Sequence, residues 1–180
     1  MRVVAGAARG RRLAPVPAGT RPVSDRAREG LFSSLGPKVT EAEVLDLYAG
    51  TGALGIEALS RGALRASFVD SAHGAIRTIR ANLVLTGLDQ RAKVHERDVL
   101  RFLGETDASF SLAFADPPYA LPERDLDALV GAVDVRLGRP GWRFVLTRPA
   151  KGYTPVIPVD WRVARELKYG DTLVLVYEEV

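Results

Sequence analysis

Four consecutive residues, Asp116-Pro117-Pro118-Tyr119, place a carboxylate, a rigid backbone and an aromatic ring directly after the apolar run 111–115. Proline fixes its own φ and has no N–H, so the Asp116 carboxylate and the Pro117 carbonyl can act as two acceptors facing one planar amino group. The Tyr119 ring offers a surface on which a nucleobase can stack. These four residues are therefore the candidate catalytic site, for chemistry on an amine. Taken alone, they would also fit a rigid turn whose aspartate bonds the local backbone.

A glycine-rich turn at residues 48–52 is the second candidate site. It follows a short apolar run and precedes a helical pattern, and Gly50, Gly52 and Gly55 match the G-x-G-x-x-G fingerprint of dinucleotide-binding proteins. A strand that turns through glycines into a helix presents free backbone N–H groups and the positive end of a helix dipole at one spot. The turn therefore predicts a site for a nucleotide-like cofactor. The candidate cofactor-binding residues are Asp46, Tyr48, Ala49, Gly50, Thr51, Gly52, Asp70 and Asp98.

Three aspartates among these candidates bear on which cofactor binds. Asp70 ends the next predicted strand, twenty residues after Gly50, where an acid would hydrogen-bond ribose hydroxyls. NAD and S-adenosylmethionine both carry such a ribose, so Asp70 does not separate them. Asp46 lies just before the turn, where its carboxylate can pair with the amino group of a methionine moiety but would repel a pyrophosphate. Asp98 fits two interpretations equally: an acceptor for an adenine amino group, or the N-cap of the following helix.

Strand-like and helical patterns alternate from residue 43 onward. Such alternation predicts an α/β fold, with a parallel sheet covered by helices on both faces. The predicted strands are 43–48, 65–70, 92–96, 111–115, 142–147, 161–168 and 172–178, and the predicted helices between them are 53–61, 72–86, 98–104 and 124–136. The last two strands are joined by Tyr169-Gly170-Asp171, which predicts a C-terminal antiparallel hairpin. We therefore expect a mostly parallel, seven-stranded, doubly wound sheet.

The first 38 residues are strongly basic and are expected to form an extension of the domain that spans residues 39–180. They contain eight basic residues and two acidic ones, whereas the whole chain has a net charge of +3. Residues 1–14 predict an exposed hairpin with arginines on its turn, and Ser24 is placed to cap a helix over 25–35. A basic segment on a mildly acidic body predicts a polyanion-binding element, although a solubilising arginine-rich segment would look similar.

Composition excludes several classes of protein. The chain has 180 residues, of which 47% are apolar and 26% charged, as in an ordinary globular domain. It contains no cysteine, so disulfides and thiolate zinc sites are excluded, and two histidines, His73 and His95, are too few to suggest a metal cluster. No window approaches ~18 consecutive apolar residues. We therefore expect a cytoplasmic protein that works without a metal.

The motifs together resemble a known class of enzyme. Asp46-Leu47-Tyr48-Ala49-Gly50-Thr51-Gly52, combined with Asp116-Pro117-Pro118-Tyr119, is similar to the Rossmann-like class I methyltransferases that modify exocyclic amino groups of bases. The segment from Arg21 to Glu29, the basic hairpin before it and Tyr169-Gly170-Asp171-Thr172 narrow the resemblance to one bacterial family. That family methylates the N2 amine of one guanine in 16S ribosomal RNA.

The resemblance implies a cofactor, a substrate and a mechanism. The cofactor would be S-adenosylmethionine, with S-adenosylhomocysteine as product and no metal. The substrate would be small-subunit ribosomal RNA, either free or in a partly assembled subunit, and the enzyme would act as a monomer. Acceptors at Asp116 and Pro117 would aim the amine at the methyl group while Tyr119 stacks on the base. The residues expected to contact RNA phosphates are Arg9, Arg11, Arg12, Arg26 and Arg28, with Arg21 contacting either RNA or the cofactor carboxylate.

Other functions stay open on the sequence. A DNA adenine-N6 methyltransferase would use the same Asp-Pro-Pro-Tyr turn, although 180 residues leave no room for a separate target-recognition domain. An NAD-dependent oxidoreductase would explain the G-x-G-x-x-G match, but it leaves Asp116 to Tyr119 unexplained and lacks a Tyr/Lys or His pair near the site. An RNA chaperone that binds the cofactor without catalysis is not excluded by any residue.

Overall fold

The computed structural model describes residues 1–14, 23–138 and 140–180. Seven strands form one sheet in the order β3-β2-β1-β4-β5-β7-β6. The strands are β1 (Glu43–Leu47), β2 (Arg65–Asp70), β3 (Ala92–Glu96), β4 (Leu112–Ala115), β5 (Arg143–Pro149), β6 (Trp161–Tyr169) and β7 (Thr172–Glu179). The first five strands pair in parallel, whereas β7 pairs antiparallel with both β5 and β6. The predicted α/β fold, the seven strands and the C-terminal hairpin are confirmed.

The described residues form five α-helices, of which the first precedes β1 and the other four connect consecutive strands from β1 to β5. They are α1 (Asp25–Leu35), α2 (Ala53–Ser60), α3 (His73–Thr86), α4 (Val99–Glu105) and α5 (Glu123–Asp134). The boundaries lie within about two residues of the predicted ones. The side chain of Ser24 accepts a hydrogen bond from the Ala27 amide at 3.2 Å, so Ser24 caps α1 as predicted. Among the described residues, no helix is long and apolar enough to cross a membrane.

Helices cover both faces of the sheet. Successive side chains of a β-strand point to opposite faces, so each strand contributes to the core on either side. On one face, Val44 and Phe68 belong to the core cluster formed with α1, α2 and α3. On the other face, Leu45 and Leu146 belong to the cluster formed with α4 and α5. All five residues of β1 are buried, including the polar Asp46. The carboxyl ends of β1, β2 and β4 therefore lie side by side in the middle of a sheet that is buried on both faces.

The N-terminal hairpin packs against α2. Arg2 and Arg12 form an antiparallel bridge, as expected for a hairpin. The amides of Val4 and Ala5 donate to the Glu57 carboxylate at 2.8 and 3.0 Å, and Glu57 is fully buried. Apolar residues of the hairpin, Val3, Ala8 and Leu13, lie in the same cluster as α1 and α2. The hairpin thus shares the core of the sheet, while the division into 1–38 and 39–180 stays a prediction.

Candidate active site

The Asp116-Pro117-Pro118-Tyr119 turn begins where β4 ends, in the centre of the sheet. The Asp116 amide donates to the Leu47 carbonyl at 3.4 Å, which holds the turn against the end of β1. Pro117 is buried, whereas Pro118 and Tyr119 are exposed. Burial raises the pKa of the Asp116 carboxyl to about 6. The turn therefore presents a carboxyl group with a raised pKa and an exposed aromatic ring at the same edge of the sheet.

A cleft of about 460 Å³ opens beside this turn. The start of α1 and the turn between β6 and β7 both line it. The floor includes Thr147 near the end of β5. The lining residues are Val23, Ser24, Arg26, Ala27, Asp116, Tyr119, Thr147, Lys168, Tyr169, Gly170 and Thr172. A cleft of this size, with a carboxylate, an aromatic ring and two cations, is suited to a nucleotide that carries an amine.

The glycine turn between β1 and α2 has an unusual backbone. Gly50 and Gly52 have φ values of +57° and +75°, which glycine adopts without strain. Tyr48 also has a positive φ, of +53°, and such a conformation at a residue with a side chain is typical of functional sites. Gly52 is the N-cap of α2 and has no side chain to cap the helix, and among the first amides that of Gly55 donates to the Asp46 side chain. The Ala53 and Leu54 amides have no acceptor among the described residues and can serve a ligand, as the fingerprint predicts.

Asp46 lies directly beneath this turn. It is 2% exposed, and one of its carboxylate oxygens accepts a hydrogen bond from the Gly55 amide at 2.8 Å. Burial, with smaller contributions from the nearby charges of Asp116 and Asp70, raises the pKa of Asp46 to about 8. Asp46 thus lies close enough to Asp70 and Asp116, at the converging ends of β1, β2 and β4, for their charges to disfavour its ionised form. A cationic group placed among them would be stabilised.

Asp70 joins the end of β2 to the glycine turn. One of its oxygens accepts from the Gly50 amide and the other from the Ala72 amide, both at 2.9 Å. A carboxylate has about four lone-pair sites, so these two bonds leave room for ribose hydroxyls. The role of Asp70 in ribose binding stays a prediction. The hydrogen bond between the Gly50 amide and the Asp70 carboxylate explains why these two residues are twenty positions apart in the sequence.

Asp98 caps α4, which confirms one of the two interpretations of this residue. Its carboxylate accepts from the Arg101 amide at 2.9 Å. Asp98 is exposed and lines a second cleft beyond the ends of β2 and β3, together with Ser71, Glu96, Arg97 and Arg101. The contact with an adenine amino group stays a prediction. No cluster of residues suited to a metal ion is found in the described ranges.

The whole chain is similar to one protein family. A family model described as Conserved hypothetical protein 95 matches residues 1–178. The chain belongs to this family. A relative from Bacillus subtilis (strain 168), a putative rRNA methyltransferase YlbH, is 36% identical over 99% of both chains. Ribosomal RNA small subunit methyltransferase D of Escherichia coli (strain K12) is 33% identical over 99% of this chain and 89% of its own.

The solved structures agree with the family assignment. The structure of the putative methyltransferase yhhF from Escherichia coli has a TM-score of 0.86 and 31% sequence identity. The similarity covers 99% of this chain and 97% of that one. The family recognised from its motifs and the methyltransferase fold are therefore confirmed.

The predicted RNA-binding arginines differ in accessibility. Arg9, Arg11 and Arg12 are exposed on the hairpin, and Arg26 is exposed at the cleft. Arg21 lies outside the described residues.

Arg28 is fully buried, so the expectation that it points toward solvent or RNA is wrong. Its guanidinium donates to the Arg2 carbonyl and, at 2.8 Å, to the Asp25 carboxylate. Burial lowers the pKa of Arg28, although Asp25 and Glu57 oppose this effect. The hairpin covers the face of α1 that carries Arg28, and this side chain ties the two elements together.

Several residues at the cleft had no role predicted from the sequence. Thr147, Lys168, Tyr169 and Thr172 line it, and the last two had been noticed only within the family motif. Arg148, next to Thr147, is 4% exposed, and two of its guanidinium nitrogens have no hydrogen-bond partner in the part of the chain that the structure describes. Burial lowers its pKa. These residues come from β5, β6 and β7, and strand pairing rather than any sequence motif brings them together.

Proposed function

We propose that this protein transfers a methyl group from S-adenosylmethionine to the exocyclic N2 amine of a guanine in small-subunit ribosomal RNA. The observation that carries the proposal is the position of the Asp116 carboxyl, at the meeting point of the glycine turn and the cleft. The names of the Escherichia coli and Bacillus subtilis relatives support ribosomal RNA as the substrate. The choice of guanine N2 rests on the motif resemblance, and the Asp-Pro-Pro-Tyr turn supports an amine as the acceptor.

The residues of the glycine turn fit S-adenosylmethionine, which would supply an electrophilic methyl group on its sulfonium. Asp46 and its neighbouring carboxylates would stabilise the cationic methionine end, since a nearby positive charge favours their ionised forms. The Ala53 and Leu54 amides at the start of α2 would donate to the carboxylate of that same end. Asp70 would accept from ribose hydroxyls, and Asp98 from the adenine amino group. A pyrophosphate would instead meet three carboxylates, which argues against NAD.

Asp116 and Pro117 would hold the amine for transfer. The N2 lone pair of guanine is delocalised into the ring, so the amine is a poor nucleophile. Accepting both N–H bonds would favour a pyramidal nitrogen and aim its lone pair in line with the methyl group. Transfer of the methyl group from sulfur to nitrogen would leave a positive charge on the nitrogen, so one of its N–H protons would become acidic and would have to be lost. With a pKa of about 6, Asp116 is mostly ionised at neutral pH and can then accept that proton.

Tyr119 and the basic residues would hold the RNA. The exposed Tyr119 ring would stack on the base after it leaves its helix, a contact worth ~1–3 kcal/mol. Arg9, Arg11, Arg12 and Arg26 would contact phosphates, and Arg21 would contact either RNA or cofactor. We propose that the enzyme acts in the cytoplasm as a monomer, on RNA that is free or in a partly assembled subunit.

The test supplies the enzyme with labelled S-adenosylmethionine and four substrates side by side. These are small subunits that lack their own modification, naked 16S RNA, large subunits and duplex DNA. Transfer confined to small subunits or to 16S RNA, with N2-methylguanosine as the product, is the expected result. N6-methyladenosine, or transfer to DNA in preference to RNA, would overturn the proposed substrate.

A further inference from the structure

Within the described residues, the Tyr119 side chain is joined to the rest of the cleft by one hydrogen bond. Its hydroxyl lies 3.1 Å from the Thr172 hydroxyl, and 44% of the residue is exposed. The two prolines before it fix the backbone but not the two torsion angles of the tyrosine side chain. The position of the ring therefore depends on its contact with Thr172, a residue 53 positions further along the chain.

Thr172 is itself held firmly, because it begins β7 between two neighbouring strands. It lies opposite Pro149 of β5 and opposite Tyr169 of β6. Beside it, the Ala150 amide donates to the Asp171 carbonyl at 2.8 Å. The Thr172 hydroxyl faces the cleft, whereas its backbone belongs to the sheet. A rigid strand end thus reaches across the cleft to the tyrosine.

The turn that carries Thr172 is also packed against α1. A Cβ atom added to Gly30 would lie 2.0 Å from the Tyr169 hydroxyl, so Tyr169 occupies the space that a side chain would fill. This contact explains a glycine in the middle of a helix, where it otherwise costs stability. The start of α1, the β6–β7 turn and Tyr119 therefore form one connected wall around the cleft.

We propose that Thr172 is a positioning residue, whose hydroxyl holds the Tyr119 ring in the orientation that stacks on the target base. The inference rests on the proposed function, since it assigns the cleft to that base. A ring that rotates freely would still contact the base, but the amine would be in line with the methyl group for a smaller fraction of the time. Loss of the hydroxyl should therefore lower kcat more than it weakens cofactor binding.

The kinetic test compares variants with small ribosomal subunits as substrate. Thr172→Val and Tyr119→Phe should each lower kcat/KM for RNA by about fivefold, the effect of one hydrogen bond of ordinary strength. Thr172→Ser keeps the hydroxyl and should retain activity near wild type. The double variant should be no slower than either single variant, because both remove the same bond. Thr154→Val is the matched control, since Thr154 is exposed and does not line the cleft.

A second measurement does not depend on activity. NMR spectra of protein with labelled tyrosine rings should contain signals from five tyrosines, and Tyr119→Phe assigns one of them. Thr172→Val should move that signal toward the value of a freely rotating ring, with Thr172→Ser and Thr154→Val unchanged. If the Tyr119 signal and kcat/KM are both unchanged in Thr172→Val, the positioning role is wrong. If wild-type enzyme is inactive on RNA while the NMR shift occurs, Thr172 positions the ring and the proposed substrate is wrong.

Discussion

The Asp46 carboxylate accepts a hydrogen bond from the Gly55 amide at 2.8 Å, within the buried part of the sheet. Gly55 is the third glycine of the fingerprint and lies in the first turn of α2. A Cβ atom at this position would lie 2.4 Å from the Phe68 ring and 3.0 Å from the Asp46 oxygen. The third glycine thus allows α2 to approach the sheet closely enough to hold the aspartate beneath the cofactor turn.

Gly55→Ala should destabilise the protein by about 1–3 kcal/mol, because the new methyl group clashes with the Phe68 ring in a packed core. Gly104→Ala is the matched control, since a Cβ atom there meets nothing within 4 Å and Gly104 is also helical. Replacing a helical glycine by alanine without a clash stabilises by ~0.5–1 kcal/mol. Urea unfolding of both variants measures the difference. Equal stabilities for the two variants would contradict the close packing of α2.

Asp46 should make the unliganded protein less stable as the pH rises from about 4 to about 8. The pKa of this group is raised from 3.8 in a free chain to about 8 in the fold. Between these values the folded state holds a proton that the unfolded state has lost, so the free energy of unfolding falls with pH. Asp46→Asn should remove most of this dependence of the free energy of unfolding on pH and leave only the part due to Asp116. Urea unfolding from pH 4.5 to 8.5 measures it, and an unchanged slope in the variant would contradict the raised pKa.

The same group should link cofactor binding to proton release. A methionine ammonium near Asp46 favours the ionised carboxylate, so binding near neutral pH should release a proton from it. Affinity for S-adenosylmethionine should then rise with pH up to about 8, the pKa of Asp46 in the unliganded protein. Calorimetry in buffers with different ionisation enthalpies measures the released proton. Equal proton release by wild type and Asp46→Asn would exclude Asp46 as its source.

Neutralising Arg9, Arg11 and Arg12 together should weaken RNA binding and flatten its dependence on salt. Each phosphate contact contributes ~0.7–0.9 to the slope of log K against log salt concentration, so three lost contacts should reduce that slope by about 2–3. Filter binding at several salt concentrations measures it. Arg124→Gln is a control for surface charge, since Arg124 is exposed on α5 at the other face of the sheet. If the triple substitution left the slope of log K against log salt concentration unchanged, the hairpin would not be part of the RNA-binding surface.

The sequence predicted the elements well but not the contacts between distant elements. Alternating apolar patterns give the strands and helices because each element carries its own periodicity. Arg28 was expected to contact RNA because a helical pattern does not reveal that the hairpin covers that face of α1. Thr172 meets Tyr119 only through the antiparallel pairing of β5 with β7, which no local pattern encodes. Gly30 likewise looked like an ordinary helical residue until its contact with Tyr169 was seen.

The central claim concerns Asp116, and methyl transfer by wild type and Asp116→Asn tests it most directly. Small subunits lacking their modification would be incubated with labelled S-adenosylmethionine from pH 5 to pH 8, and their nucleosides analysed. The account predicts N2-methylguanosine at one site, with a wild-type rate that rises through a pKa near 6. The asparagine variant should still bind cofactor but, with cofactor saturating, transfer at least ~10²-fold more slowly. A folded variant that makes N2-methylguanosine at the wild-type rate would contradict the account.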